Sequence, residues 1–116
     1  MNGHQLEVAV RFLPGVAVVD LVGEINASGE AALNAAYAEA AGVGPQPVLL
    51  NFAKVTYMNS TGIALIVGLL AQARKTNRRL LVCGLSEHYL EIFQITRLSD
   101  FMSIFPDEVS ATSASV

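Results

Sequence analysis

Hydrophobic and polar positions alternate from Leu6 to Phe12, with Leu6, Val8 and Val10 on one side and Glu7, Ala9 and Arg11 on the other. A period of two predicts a half-buried strand. Pro14-Gly15 is a turn signal, and the β-branched run from Val16 to Val22 predicts a second strand, antiparallel to the first. Gly23 breaks that pattern. Asn26 and Ser28 are candidate N-caps for the Ala-, Leu- and Glu-rich segment from Glu30 to about Ala41, which has helix chemistry. Gly42-Val43-Gly44-Pro45 stops this helix.

Val48 to Phe52 predicts a short central strand, with Lys54 to Met58 following as a loop or strand edge. Asn59-Ser60-Thr61 opens a long helix expected to reach about Arg78. Ile63, Ile66, Val67 and Leu70 fall on its core stripe. Leu65 and Leu69 fall outside the centre of that stripe. They form a second apolar surface, either covered by a neighbouring loop or open to a partner beside Ser60. Leu80 to Cys83 is the next buried strand, Ser86 caps a short helix through Ile95, and Phe101 to Phe105 is a last strand. The resulting order, ββαβαβαβ, predicts an α/β fold with parallel strand pairs and right-handed crossovers.

The 116 residues suit one domain, expected over 1–109, with a small polar tail from Ser110 to Val116 expected to fray. Hydrophobic residues make up 53% and charged residues 15%, enough for one core, and the net charge of −3 disfavours nucleic acid as a partner. The N-terminal Met1-Asn2-Gly3-His4-Gln5 lacks the basic-then-apolar order of a secretory signal. The longest apolar stretch, Gly62 to Ala71, is shorter than the roughly 20 residues of a membrane span, so a cytoplasmic location is expected.

Catalytic chemistry finds little support. His4 and His88 lack metal-ligand spacing, and no metal or cofactor is expected. Cys83 lies in an apolar strand with no flanking cation to activate it. Asp20 and Glu24 make no catalytic pair without a pocket. Gly42-Val43-Gly44 lacks the lysine of a phosphate loop. Arg74, Lys75, Arg78 and Arg79 read as a solvated helix end that complements the macrodipole. A non-enzymatic protein is expected. Ser60 stands apart, because a hydroxyl at a helix start can cap the unpaired N–H groups there, and a phosphate can be bound by the same donors.

The stretch from Val48 to Ile66, through Asn51-Phe52-Ala53-Lys54-Val55-Thr56-Tyr57-Met58-Asn59-Ser60-Thr61-Gly62, resembles the signature of STAS domains. That signature is an apolar strand, a short connection, then Asp-Ser-Ser/Thr-Gly opening an apolar helix. Val19-Asp20-Leu21-Val22-Gly23-Glu24-Ile25-Asn26 resembles the family's strand followed by Gly-Glu-Leu-Asp. Leu80-Leu81-Val82-Cys83-Gly84-Leu85-Ser86, Phe93 and Ile95 to Leu98 resemble later blocks, so the likeness runs from about Leu6 to Phe105.

The resemblance implies a mixed sheet of four or five strands with helices packed on it. It also implies the role of an anti-sigma factor antagonist: a protein that binds an anti-sigma factor serine kinase, frees the sigma factor, and is released when the kinase phosphorylates it. A serine phosphatase resets the cycle. The phosphoacceptor maps to Ser60, and the partner-binding surface to Asn26, Asn59, Ser60, Thr61, Gly62, Leu65 and Leu69. Two family carboxylates are amides here, Asn26 and Asn59, which keep size and an acceptor oxygen. Other STAS domains serve as scaffolds or accessory subunits of stress-signalling or transport complexes, or sense small ligands, and these are the competing readings.

Overall fold

The structure is a computed structural model that describes residues 5–114. The expectations for residues 1–4, His4 among them, and for residues 115–116 fall outside it. A five-stranded sheet in the order β1-β2-β3-β4-β5 carries the fold. Strand β1 (Glu7–Leu13) pairs antiparallel with β2 (Val16–Ile25) through the Pro14-Gly15 turn, in register from Leu13 opposite Val16 to Glu7 opposite Val22. Strands β3 (Val48–Met58), β4 (Leu80–Cys83) and β5 (Ser103–Phe105) then add in parallel.

Two strands run further than the hydrophobic pattern predicts. Gly23 does not end β2. It takes φ +101°, which a side chain disfavours, and the strand continues through register shifts around it to Ile25. Lys54 to Met58 is likewise the second half of β3, not a loop. Beyond Asn51 that half pairs only with β2, so its outer positions face solvent and its apolar signal weakens.

Helices α1 (Glu30–Ala41), α2 (Ser60–Lys75) and α3 (Glu87–Ile95) cover one face. Leu33, Tyr37, Ile66, Leu69 and Phe93 pack there on Val19, Leu21, Leu50, Phe52 and Val82. The fully buried Phe93 ring meets Phe52 edge-on with 6.2 Å between centroids. The alternate residues Val16, Val18, Leu49, Leu81 and Cys83 point to the other face and would be wet without cover. Residues 110–114, expected to fray, belong instead to a short helix, α4 (Glu108–Ala114), which sets the fully buried Ala111 on that face. Asp107 starts α4 by accepting the Ser110 N–H at 2.8 Å, a bond that also holds its carboxyl below the usual range. Small and polar composition hides such a helix, because its one buried contact needs only an alanine.

A polar network joins these layers. The Arg11 guanidinium donates to both Asp20 oxygens at 2.5 and 2.9 Å and to Glu108 at 2.6 and 3.2 Å. The Asn51 amide donates to Asp20 at 2.9 Å. Asp20 is therefore engaged in a structural tie and makes no pair with Glu24, which lies past the bulge opposite Tyr57. The Arg11 bonds hold the Asp20 carboxyl below its ordinary value against the opposing effect of partial burial. A lowered carboxyl contributes stability above its unfolded value of about 3.9 and loses it as pH falls through the folded value. We expect Asp20→Asn to cost about 1 kcal/mol near pH 7, a figure already reduced for the network's partial exposure. As pH falls below about 3.9 and through the folded value, the difference from wild type should shrink toward zero. Denaturant unfolding at neutral and at acid pH checks this, and a difference independent of pH contradicts it.

Candidate functional site

The site forms where two parallel strands stop at the same level. Ile25 ends β2 opposite Met58 at the end of β3, so Asn26 and Asn59 come next, side by side. The Asn59 N–H donates to the Ile25 carbonyl at 3.4 Å. Both asparagines are extended, and each caps the helical turn on its C-terminal side. Asn59 Oδ1 accepts the Gly62 N–H at 2.8 Å and so starts α2. Asn26 Oδ1 accepts the Ser28 N–H at 3.0 Å and the Ser28 hydroxyl at 2.6 Å, closing the 3-10 turn Ala27–Gly29. Asn26 is thus a cap as expected. Ser28 lies inside the turn as a donor, and α1 begins after Gly29 without a side-chain cap.

Gly62 fixes how α2 lands. It is buried, and a Cβ there would lie 2.0 Å from the Ile25 carbonyl oxygen. Only glycine lets the first turn of α2 rest on the end of β2. That contact also sets the rotation of the helix. Gly62, Ile66, Leu69 and Ala73, spaced four, three and four apart, are all buried. Leu69 is therefore core at 0% exposure and cannot meet a partner, contrary to the expectation for it. Leu65 is half-buried and packs against the same core. Val67, expected in the core stripe, is instead 42% exposed.

Ser60 and Thr61, the first two residues of α2, are exposed. The cap is made by Asn59, so the Ser60 hydroxyl takes no part in it. No acidic residue lies in this first turn. A phosphate on Ser60 would meet unpaired N–H groups and the positive end of the helix, with no carboxylate of that turn to repel it.

Tyr89 supports the site from behind, a role that the sequence pattern does not reveal. Its hydroxyl accepts the Met58 N–H at 2.8 Å and donates to the Met58 carbonyl at 3.3 Å, which clamps the residue before Asn59. The one signal in the sequence is the Ser86 cap, whose oxygen accepts the Tyr89 N–H at 3.4 Å and so fixes the start of α3 below β3.

The remaining candidates are structural or exposed. Arg78 is not part of a solvated helix end: its guanidinium donates to the carbonyls of Ala41, Gly44 and Gln46 at 3.0, 2.7 and 2.6 Å and so ties down the loop before β3. Helix α2 accordingly stops at Lys75. Burial pushes the Cys83 thiol up to about 11, with Glu108, Asp107 and Asp20 adding to the effect. His88 is exposed beside the Tyr89 ring. Among the described residues no group of three or more His, Cys, Asp or Glu is placed to hold a metal ion. None of the helices formed by those residues is long and apolar enough to cross a membrane.

Known proteins are similar to this chain in sequence and in fold. The family model for the STAS domain matches residues 7–111. BtrV of Bordetella bronchiseptica, a putative anti-sigma factor antagonist by name, is 29% identical over 101 residues, covering 87% of this chain and 84% of BtrV. The anti-sigma-B factor antagonist of Staphylococcus epidermidis is 39% identical over 61 residues, so this chain spans 56% of that relative and the match covers 53% of this chain. The Bacillus cell-fate determinant SpoIIAA, solved in its phosphorylated form, shares the fold with a TM-score of 0.66 at 18% identity, over 93% of this chain and 99% of SpoIIAA.

The geometry separates three of the four motif residues, Asn59, Ser60 and Gly62, by their effect on stability. Gly62→Ala should be the most damaging, at about 3 kcal/mol or more, because backbone must move to admit the methyl group. Asn59→Ala should cost about 1 kcal/mol as a lost cap, and Ser60→Ala only a few tenths. Urea unfolding of the three variants checks this order, and a Ser60→Ala cost equal to that of Asn59→Ala contradicts the assignment of the cap.

Proposed function

The chain belongs to the STAS domain family, and on that premise we propose that it is an anti-sigma factor antagonist whose binding to an anti-sigma factor serine kinase is switched by phosphorylation of Ser60. The observation that carries the proposal is an exposed hydroxyl at the first residue of α2, free of any part in the cap. Such a group can be modified without taking anything from the fold. Relatives named as anti-sigma factor antagonists support the role, and SpoIIAA supports the modification, since it exists in a phosphorylated form.

A phosphate adds about two negative charges near neutral pH. The neighbouring caps are the neutral amides Asn26 and Asn59, so the phosphate adds negative charge where the caps themselves carry none. The helix N-terminus stabilises that charge in the free protein. A partner closing over it must strip its water, which costs free energy unless the partner supplies a cation there. The unmodified surface has no such barrier. Tyr89 and Gly62 hold the backbone on both sides of Ser60, so the change stays local.

This role is binding and needs no turnover by the chain itself. Cys83 is buried with its thiol pushed up, and Asp20 is committed to Arg11 and Asn51. A serine phosphatase acting on the exposed first turn would reset the switch. Location in the cytoplasm, beside the transcription machinery, belongs to the same proposal.

Ser60→Asp should weaken binding to the kinase at least about tenfold, or about 1.4 kcal/mol, while Ser60→Ala binds as wild type. Calorimetric titration of both folded variants checks this, and Ser60→Asp binding as tightly as wild type contradicts it. Incubation with kinase and ATP, read by intact mass, should add one phosphate to wild type and none to Ser60→Ala. If Asn59→Asp is modified and wild type is inert, the chain is a binder that has lost its off-switch.

A further inference from the structure

Burying Gly62, Ile66, Leu69 and Ala73 turns a second line of α2 outward: Ser60, Ala64, Val67 and Ala71, all exposed. This outward line leads from Ser60 to an apolar groove. The groove, about 300 Å³, is walled by Val67, Leu70, Ala71, Arg74 and Phe101. Phe101 is 51% exposed and Val67 42%, so two large apolar side chains face water across one hollow. The Arg74 guanidinium stands 4.8 Å over the Phe101 ring.

Charge defines the rest of the groove. Four of the seven Lys and Arg residues lie between 74 and 79, in a chain with ten Asp and Glu. Arg78 is consumed by backbone carbonyls. Among the described residues, Arg74, Lys75 and Arg79 form no ion pair with a carboxylate, and Asp100 at the same rim is taken by Arg97 at 2.7 Å. The groove is thus an apolar hollow on the basic pole of an acidic protein. From Ser60 to Ala71 the helix rises roughly 16 Å. A standard interface of about 800 Å² per partner, roughly 28 Å across, covers both ends at once.

We infer that the Val67–Phe101 groove is a second docking point for the partner that binds at Ser60, and that it takes an acidic amphipathic helix of that partner. An apolar anchor of that helix sits between Val67 and Phe101, and its carboxylates reach Arg74, Lys75 and Arg79. Small residues at Ala64, Gly68 and Ala71 let the helix lie close, and a side chain at Gly68 would meet nothing within 4 Å. The identity of the partner rests on the preceding proposal. The chemistry of the groove does not.

The test separates the two. The full chain is titrated, with amide NMR, against a synthetic helix of about 14 residues carrying leucine every third or fourth position and glutamate elsewhere, and against its lysine counterpart. The glutamate helix should bind, shift the amides of Val67, Ala71 and Phe101, and lose at least tenfold in affinity with Phe101→Ala and with Arg74→Glu. Ser60→Asp should leave that affinity unchanged. Equal binding of both helices, no binding of either, or binding indifferent to Phe101→Ala overturns the inference. In a parallel titration with the kinase, Phe101→Ala and Arg74→Glu should each weaken the complex about tenfold. If Ser60→Asp weakens that complex and the groove variants do not, the groove is no part of the interface and the Ser60 switch stands. If the groove variants alone weaken it, docking stands and the switch fails.

Discussion

The contact between the Ile25 carbonyl and Gly62 is the constraint on which the site depends. A Cβ would come within 2.0 Å of that oxygen, so α2 rests on β2 only because the side chain is absent. This contact fixes the position and the rotation of the longest helix. Every fourth or third residue from Gly62 then enters the core, and the line from Ser60 is turned to solvent. Asn59 can cap the helix at 2.8 Å because β2 and β3 end at the same level and deliver both asparagines together. The exposed serine is a consequence of packing, since the cap leaves its hydroxyl unused.

The site is a hydrogen-bonded frame around an exposed hydroxyl. Tyr89 holds Met58 through two hydrogen bonds, and the Phe52–Phe93 contact anchors the strand and helix beneath. On the proposed reading, charge added at Ser60 would act through desolvation and field at the surface. The far side of the sheet is closed separately, by α4 and the Arg11 network, which links β1, β2 and the C-terminal helix.

Much of this is legible in the sequence because local chemistry and tertiary structure agree. The Glu30–Ala41 helix, the Leu80–Cys83 strand, the Ser86 cap and the opening of α2 by Asn59-Ser60 all follow from caps and apolar runs. The misses share one cause, which is that a distant contact decides the outcome. Gly23 reads as a break, but a full-length parallel neighbour carries β2 past it. Leu69 and Val67 exchange places because Gly62, not the mean apolar direction, sets the helix rotation. Arg78 reads as solvated until the carbonyls of the preceding loop are seen around it. The tail looks featureless until Val16, Val18 and Leu49 need a lid. Tyr89 carries no local sign of its role, because its partner is a backbone unit 31 residues away in sequence.

The claim that phosphorylation acts as a local electrostatic switch on an unmoved frame is tested most directly by placing phosphoserine at position 60 biosynthetically and comparing amide NMR spectra and kinase binding with the unmodified chain. The account predicts shifts confined to residues around 26–28 and 59–62, an unchanged core, and loss of the kinase complex. Shifts spread through Phe52, Phe93 and the sheet, or a phosphorylated chain that still binds the kinase as tightly as before, would contradict it.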